Sequence, residues 1–382
     1  MSQAVAATIT DYFAEVEDPR IDRTKDHELL DILVIAICGV ICGGDGWAGI
    51  ETFGNAKLDW LETFLDLPNG IPSHDTFGRV FARLDPESLQ RCFIKWVKAV
   101  QEVTDGQVIA IDGKCLRHSF DTWTAKSAIH MVSAWASQNH MVLGQRKVDD
   151  KSNEITAIPA LLELLEISNC IVTIDAIGCQ KDIAENIVDQ GAEYMLAVKA
   201  NQPHLYEDIQ KLFLWADNIE FAHISHDIYR EVDKGHGRIE IRECWTISDP
   251  DCLAMIANHT EWKGLQTVIQ VRAKRLMDNE TKEETRYYIS TLSEETPQLA
   301  QKAARAVRGH WSIENELHWV LDIAFQEDDS RIRQGHAAEN MAVLRHIALN
   351  LLKRETSHQI GIKNKRLTAG WNNEYLEKVL SI

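Results

Sequence analysis

Residues 108–114 read Val-Ile-Ala-Ile-Asp-Gly-Lys, and residues 171–178 read Ile-Val-Thr-Ile-Asp-Ala-Ile-Gly. Each is a short apolar run closed by an aspartate, the pattern of a buried strand ending at Asp112 or Asp175. A carboxylate at the end of a buried strand is costly unless a cation or hydrogen-bond donors meet it. Two such strands with a helix between them lie side by side and parallel, so both carboxylates could face one point. That arrangement can hold Mg²⁺ for phosphodiester chemistry if a third acid joins it. Taken singly, an Asp before Gly could equally be a strand-end turn residue.

The surrounding pattern is α/β. Strand-like runs at 130–136 and 141–148 form a hairpin through 137–140, and a helix is expected over 153–165. After Asp175 come a helix over 180–190 closed by Gly191, a strand over 193–199 and a helix over 203–215. The order β-β-β-α-β-α-β is that of a ribonuclease-H-like core, 104–215. Residues 1–103 read as a small helical N-terminal domain, with helical spacing over 29–50, 50–64 and 86–103. A Pro- and Gly-rich loop from Pro68 leads into a further helix capped near Ser73 or Asp75. Residues 216–292, with strands at 239–247, 265–273 and 286–292, read as a β-rich insertion. Residues 293–352 complete the core with helices, and 353–382 form a basic C-terminal segment.

Glu314 is the strongest third acid. On a helix it shares a mostly apolar face with Trp311, Leu317, His318 and Leu321. An acid on such a face needs a cation inside. Glu316, Asp322, Glu327, Asp328 and Asp329 are nearby, but Glu316 lies about 200° around the helix from Glu314. His310 and His318 read as packing or hydrogen-bonding residues rather than ligands, and Trp311 and Trp319 as core. An all-carboxylate set, with no thiolate, suits Mg²⁺ rather than zinc.

A formal net charge of −18 argues against a generic nucleic-acid binder, so any DNA must meet a basic minority surface. From Ser330 onward nine Lys and Arg stand against four Glu. Lys353, Arg354, Lys363, Lys365 and Arg366 could form a phosphate patch there. The eight cysteines include no Cys-x-x-Cys pair and read as reduced thiols. The apolar stretch 29–42 is short and interrupted by Asp31, which fits a buried helix better than a membrane span. With no signal peptide legible, a cytoplasmic protein is expected.

Several motifs together resemble one family: Ile111-Asp-Gly-Lys, Thr173-Ile-Asp-Ala, Leu196-Ala-Val-Lys-Ala-Asn-Gln, Gly235-His-Gly-Arg, Tyr288-Ile-Ser and His310-Trp-Ser-Ile-Glu-Asn-Glu-Leu-His-Trp-Val-Leu-Asp. The blocks Leu67-Pro-Asn-Gly-Ile-Pro-Ser-His-Asp-Thr-Phe and Ala369-Gly-Trp-Asn-Asn-Glu-Tyr-Leu extend the likeness over nearly the whole chain. The family is that of the H-repeat-associated proteins, bacterial insertion-sequence transposases of the DDE type. The resemblance implies a catalytic, metal-holding triad of Asp112, Asp175 and Glu314, with Mg²⁺ or a substituting Mn²⁺. It implies DNA cleavage at element ends, joining of a 3′-hydroxyl to target DNA, and a homo-oligomer on DNA.

Related enzymes often carry Tyr, Arg and Lys where this chain has Val307, His310 and Leu321. The phosphate-contacting role of that Arg could fall to Arg308 or His310. Lys114, Lys199, Asn201, His236 and Arg238 are further candidate DNA contacts. Two competing readings are a decayed or domesticated copy that binds DNA without cutting it, and a stand-alone ribonuclease-H-like nuclease.

Overall fold

The computed structural model describes residues 10–21, 25–100, 105–120, 127–149, 153–235, 238–277 and 280–381. Strand β1 (Val108–Leu116) pairs antiparallel with β2 (Ile129–Ala136), and β2 with β3 (Met141–Lys147). On its other side β1 pairs in parallel with β4 (Ile171–Ile174), and β4 with β5 (Glu193–Val198). These five strands stand in the order β3-β2-β1-β4-β5.

Helix α5 (Glu154–Leu162) makes the crossover from β3 to β4, with Asn153 capping it by accepting the Ile155 N–H. Helix α6 (Lys181–Asp189) joins β4 to β5, and α7 (Pro203–Asn218) follows β5.

The sheet does not stop at β5. Strands β6 (His226–Gly235), β7 (Arg238–Ile247), β8 (Thr267–Met277) and β9 (Glu280–Ser290) continue it through an antiparallel β5–β9 pair, giving nine strands. The sequence reading anticipated β7, β8 and β9 but not β6. Outward and inward residues of β6 are alike exposed or half-buried, so its charged alternation carried no apolar signal.

Period-two alternation assigns the two faces. Val108 and Ile171 pack with Leu299, Ala303, Ala306 and Val307 of helix α8 (Leu299–Ser312). Ile109 and Val172 belong instead to the main core with Ile158, Leu161 and Ile183 of α5 and α6. Gly309 lets α8 come close to β1, because a Cβ there would lie 3.0 Å from Val108 Cγ1.

The longer helices that precede the sheet among the described residues are α1 (Leu29–Ile41), α2 (Trp47–Ala56), α3 (His74–Arg83) and α4 (Pro86–Val100). α1 is buried on nearly every side and ends well short of residue 50, because Gly43 takes a left-handed φ of +100°. Ser73 caps α3, accepting the Thr76 N–H at 3.3 Å. After α8 the chain widens into a π-turn (Ile313–His318), then α9 (Trp319–Phe325), α10 (Ala337–Arg354), α11 (Ile362–Trp371) and α12 (Asn373–Leu380). No helix among the described residues is long and apolar enough to cross a membrane. None of the cysteines is in a disulfide.

The basic cluster expected near the C-terminus is not a phosphate patch. Lys365 and Arg366 are buried. Lys365 donates to the Leu352 and Glu355 carbonyls, and Arg366 to the Val40 and Ala324 carbonyls and to Asp45. Lys353 pairs with Glu316 at 3.2 Å over the Trp135 ring, and Arg354 donates to the Val100 carbonyl. Only Lys363 of the five is left exposed. Cations spaced for a surface patch serve here to close carbonyl groups in a helical interface.

Candidate active site

The parallel pairing of β1 and β4 sets Ile111 against Ile174, so Asp112 and Asp175 occupy the next position on adjacent strands. Both follow the alternation of Val108 and Ile171 and turn to the α8 face. Thr173, between Ile171 and Asp175, touches α8 directly: its hydroxyl lies 3.1 Å from His310 Nδ1.

The π-turn that continues α8 then delivers Glu314 and His318 to the same place. His318 Nδ1 is 3.5 Å from Asp112 Oδ2 and 4.0 Å from Glu314 Oε2. One ligand atom from each of Asp112, Glu314 and His318 lies within 4.8 Å of the others.

The charges at this point are unbalanced. Burial, then the Glu314 and Asp175 carboxylates, push the Asp112 carboxyl up to about 8. Asp175 Oδ1 accepts the Ile177 N–H at 3.0 Å, which fixes one oxygen and leaves the other open. Among the described residues no Lys or Arg forms an ion pair with Asp112, Asp175 or Glu314. Glu314 is more open than a continuous α-helix implies, with 53% of its side chain exposed. The extra residue of the π-turn rotates the face, so that Ile313, Leu317 and His318 go inward. The same rotation overturns the reading of two tryptophans as core: Trp311 is 42% and Trp319 60% exposed.

Of the basic residues singled out in the sequence, few are free to meet an anion. Lys114 is half-buried behind the site, paired with Asp322 and, at 2.8 Å, with Glu327. Its ammonium also lies 3.5 Å from the His318 carbonyl. His310 is held neutral by burial, which pushes its pKa down, and is engaged with Thr173. Arg308 is exposed and pairs with Glu231 at 2.5 Å, and Arg238 pairs with Glu240 at 3.0 Å. Asn201 donates to the Ala176 carbonyl and so steadies the loop after Asp175. Lys199 is exposed at the end of β5. His236 lies outside the described residues.

Sequence reading missed three features. His318, read as packing, sits against two of the acids. Glu154, at the start of α5, has its carboxylate where a Cβ on Gly113 would lie 2.1 Å from Oε1; burial and the Asp175 charge push its pKa up. Third, a groove of about 440 Å³ runs beside the Glu314 turn, lined by five arginines, Arg286 and Arg308 among them, by Trp311, and by Glu240, Glu284 and Glu316. The Arg286 guanidinium lies 4.4 Å over the Trp311 ring. The spacing of Arg238, Glu240 and Arg242 on one face of β7 was the available signal for that groove.

The "DDE_Tnp_1-associated" family model matches residues 10–97, and the "Transposase DDE domain" model matches residues 104–351. The "H repeat-associated putative transposase YhhI" of Escherichia coli K12 is 42% identical over 377 residues, 98% of this chain and 97% of that protein. The "Putative transposase YncI" of Escherichia coli O157:H7 is 42% identical over 385 residues, 98% of this chain and 94% of that one. A piggyBac transposase synaptic complex with hairpin DNA matches at a TM-score of 0.40 and 11% identity, over 97% of this chain and 76% of that one. That last likeness is too slight to carry an argument.

Proposed function

The chain belongs to the transposase DDE domain family, and on that premise we propose that it cleaves and joins DNA strands at the ends of an insertion element. In this reading Asp112, Asp175 and Glu314 are the catalytic carboxylates and hold Mg²⁺, with Mn²⁺ able to substitute. The observation that supports it is the Ile111–Ile174 register, which sets Asp112 and Asp175 at the next position of adjacent strands, with Asp112 close to Glu314. Asp175 is outside that close group but near enough for its charge to raise the Asp112 carboxyl. The donor set fits divalent ions. Asp112 is buried among like charges with no Lys or Arg among the described residues to offset them, and the oxygens offered are hard ligands. Bound ions would lower the pKa of an attacking water or 3′-hydroxyl and neutralise the departing 3′-oxygen.

The protein's own part is positioning. Asp175 presents one free oxygen while backbone N–H groups fix the other. Glu314, on an exposed turn, is the most exposed of the three. Lys114 braces the π-turn from behind through the His318 carbonyl and does not face DNA. The arginines of the groove beside Glu314 are paired with Glu240, Glu284 and Glu231, and a phosphate backbone would exchange with those carboxylates, while Trp311 suits a base face.

The strand order β3-β2-β1-β4-β5 supports a ribonuclease-H-like core over 104–215 and 293–352. Residues 1–103 then form the helical N-terminal domain, 216–292 the β-rich insertion and 353–382 the terminal segment. Among the expected DNA contacts, Lys199, Arg238 and Arg308 remain surface candidates, and a homo-oligomer on paired ends is the expected working form.

Purified protein incubated with DNA carrying the element's own flanks, in Mg²⁺, Mn²⁺ or EDTA, tests the reading. Metal-dependent nicks at the element boundaries, absent in Asp112→Asn, Asp175→Asn and Glu314→Gln, are expected. Scattered nicks would favour a nuclease instead, and specific binding without cutting a decayed copy.

A further inference from the structure

His318 is only 6% exposed, and its Nδ1 faces the Asp112 and Glu314 carboxylates at 3.5 and 4.0 Å, where neither contact is a close hydrogen bond. A buried imidazole nitrogen held between two carboxylates, with no Lys or Arg paired to them among the described residues, suits a shared cation. The other buried histidines nearby are differently placed. His310 bonds Thr173, and His346, which also leaves its Nδ1 without a partner among the described residues, is not among the ligand atoms gathered at Asp112 and Glu314.

Two ligands of one ion, each about 2.1 Å from it, stand no more than about 4.2 Å apart. The Asp112, Glu314 and His318 ligand atoms already lie within 4.8 Å of one another, so a shift of a few tenths of an ångström would close them on a cation. Residues 314 and 318, four apart, both lie within the π-turn, and such turns recur at functional sites.

We infer that His318 is a nitrogen ligand of the ion shared by Asp112 and Glu314, and that this position therefore selects Mn²⁺ over Mg²⁺. The inference rests on the metal centre proposed above and adds a residue to it. Mg²⁺ favours an all-oxygen octahedron and gains little from an imidazole, whereas borderline transition cations gain from nitrogen. Burial holds the imidazole neutral, so its lone pair is available to a cation.

The test uses the full chain loaded with Mn²⁺ alone, read by pulsed electron paramagnetic resonance. A directly bound ¹⁴N coupling is expected, lost in His318→Gln. The Mg²⁺ concentration that displaces half the Mn²⁺ should fall about tenfold or more in that variant. Because the first readout is made on the unaltered protein, it holds even if the variant folds poorly. Saturable Mn²⁺ binding that needs Asp112 but shows no nitrogen coupling would overturn the His318 assignment and leave the carboxylate centre standing. A coupling that persists in His318→Gln would overturn it likewise. No saturable Mn²⁺ binding at all would overturn both.

Discussion

At the residue scale the site is a contest between burial and charge, decided differently for each acid. For Asp112 burial wins, and its folded pKa of about 8 lies above the ordinary 3.8. The folded, metal-free protein thus holds a proton that the unfolded chain releases, and stability falls as pH rises from about 4 to about 8. Thermal melts in EDTA should show that slope, and Asp112→Asn should flatten it.

For Glu327 the neighbours win: burial opposes its charge, but Lys114 and Arg345 hold the carboxyl down to about 2. Its stabilising contribution is full above pH 4.5 and is lost as pH falls toward 2. His346, pushed by burial to about 4, adds a loss in the same direction between pH 6.5 and 4. Glu327→Gln leaves the buried Arg345 without its carboxylate and Lys114 with Asp322 alone, and is expected to cost about 3–5 kcal/mol in urea unfolding at neutral pH. Asp112 and Asp175 were legible in the sequence because a lone acid ending an apolar strand stands out. His318 and Glu154 were not, because a histidine on an apolar helix face and an acid in a first helical turn are ordinary.

At the scale of elements, two features assemble the site: a register and a close approach. The β1–β4 register follows from matched β-branched runs, which is why both strands could be read from sequence. The close approach depends on Gly309, and that needs the neighbour's coordinates to see. Gly309→Val would drive methyl groups into Val108, push α8 off β1 and cost about 1–3 kcal/mol. Since α8 leads directly into the Glu314 turn, the same variant should also weaken metal-induced thermal stabilisation. A melt that shifts with Mn²⁺ as in the parent protein would contradict that link. The π-turn was equally invisible beforehand, since one extra residue in a turn leaves no compositional mark, and it is why Glu314 and the two tryptophans are more exposed than helical spacing implied.

At the scale of the whole molecule, the proposed function requires a chain of net charge −18 to meet DNA through a local surface. The arginines cluster in the groove that β7, β8, β9 and α8 build beside Glu314, although the sequence had pointed to the C-terminal tail, whose cations close the helical interface instead. DNA binding should therefore weaken steeply with salt, and replacing Arg286 or Arg308 with Ala should each reduce the slope of log K against log salt by about 1. Arg354→Ala should leave that slope unchanged. The central claim, that three carboxylates from two strands and one turn form a single metal centre, is tested most directly by anomalous diffraction from crystals soaked in Mn²⁺. The account predicts one or two peaks, about 4 Å apart if two, in contact with Asp112, Asp175 and Glu314; saturating Mn²⁺ that leaves this point without a peak would contradict it.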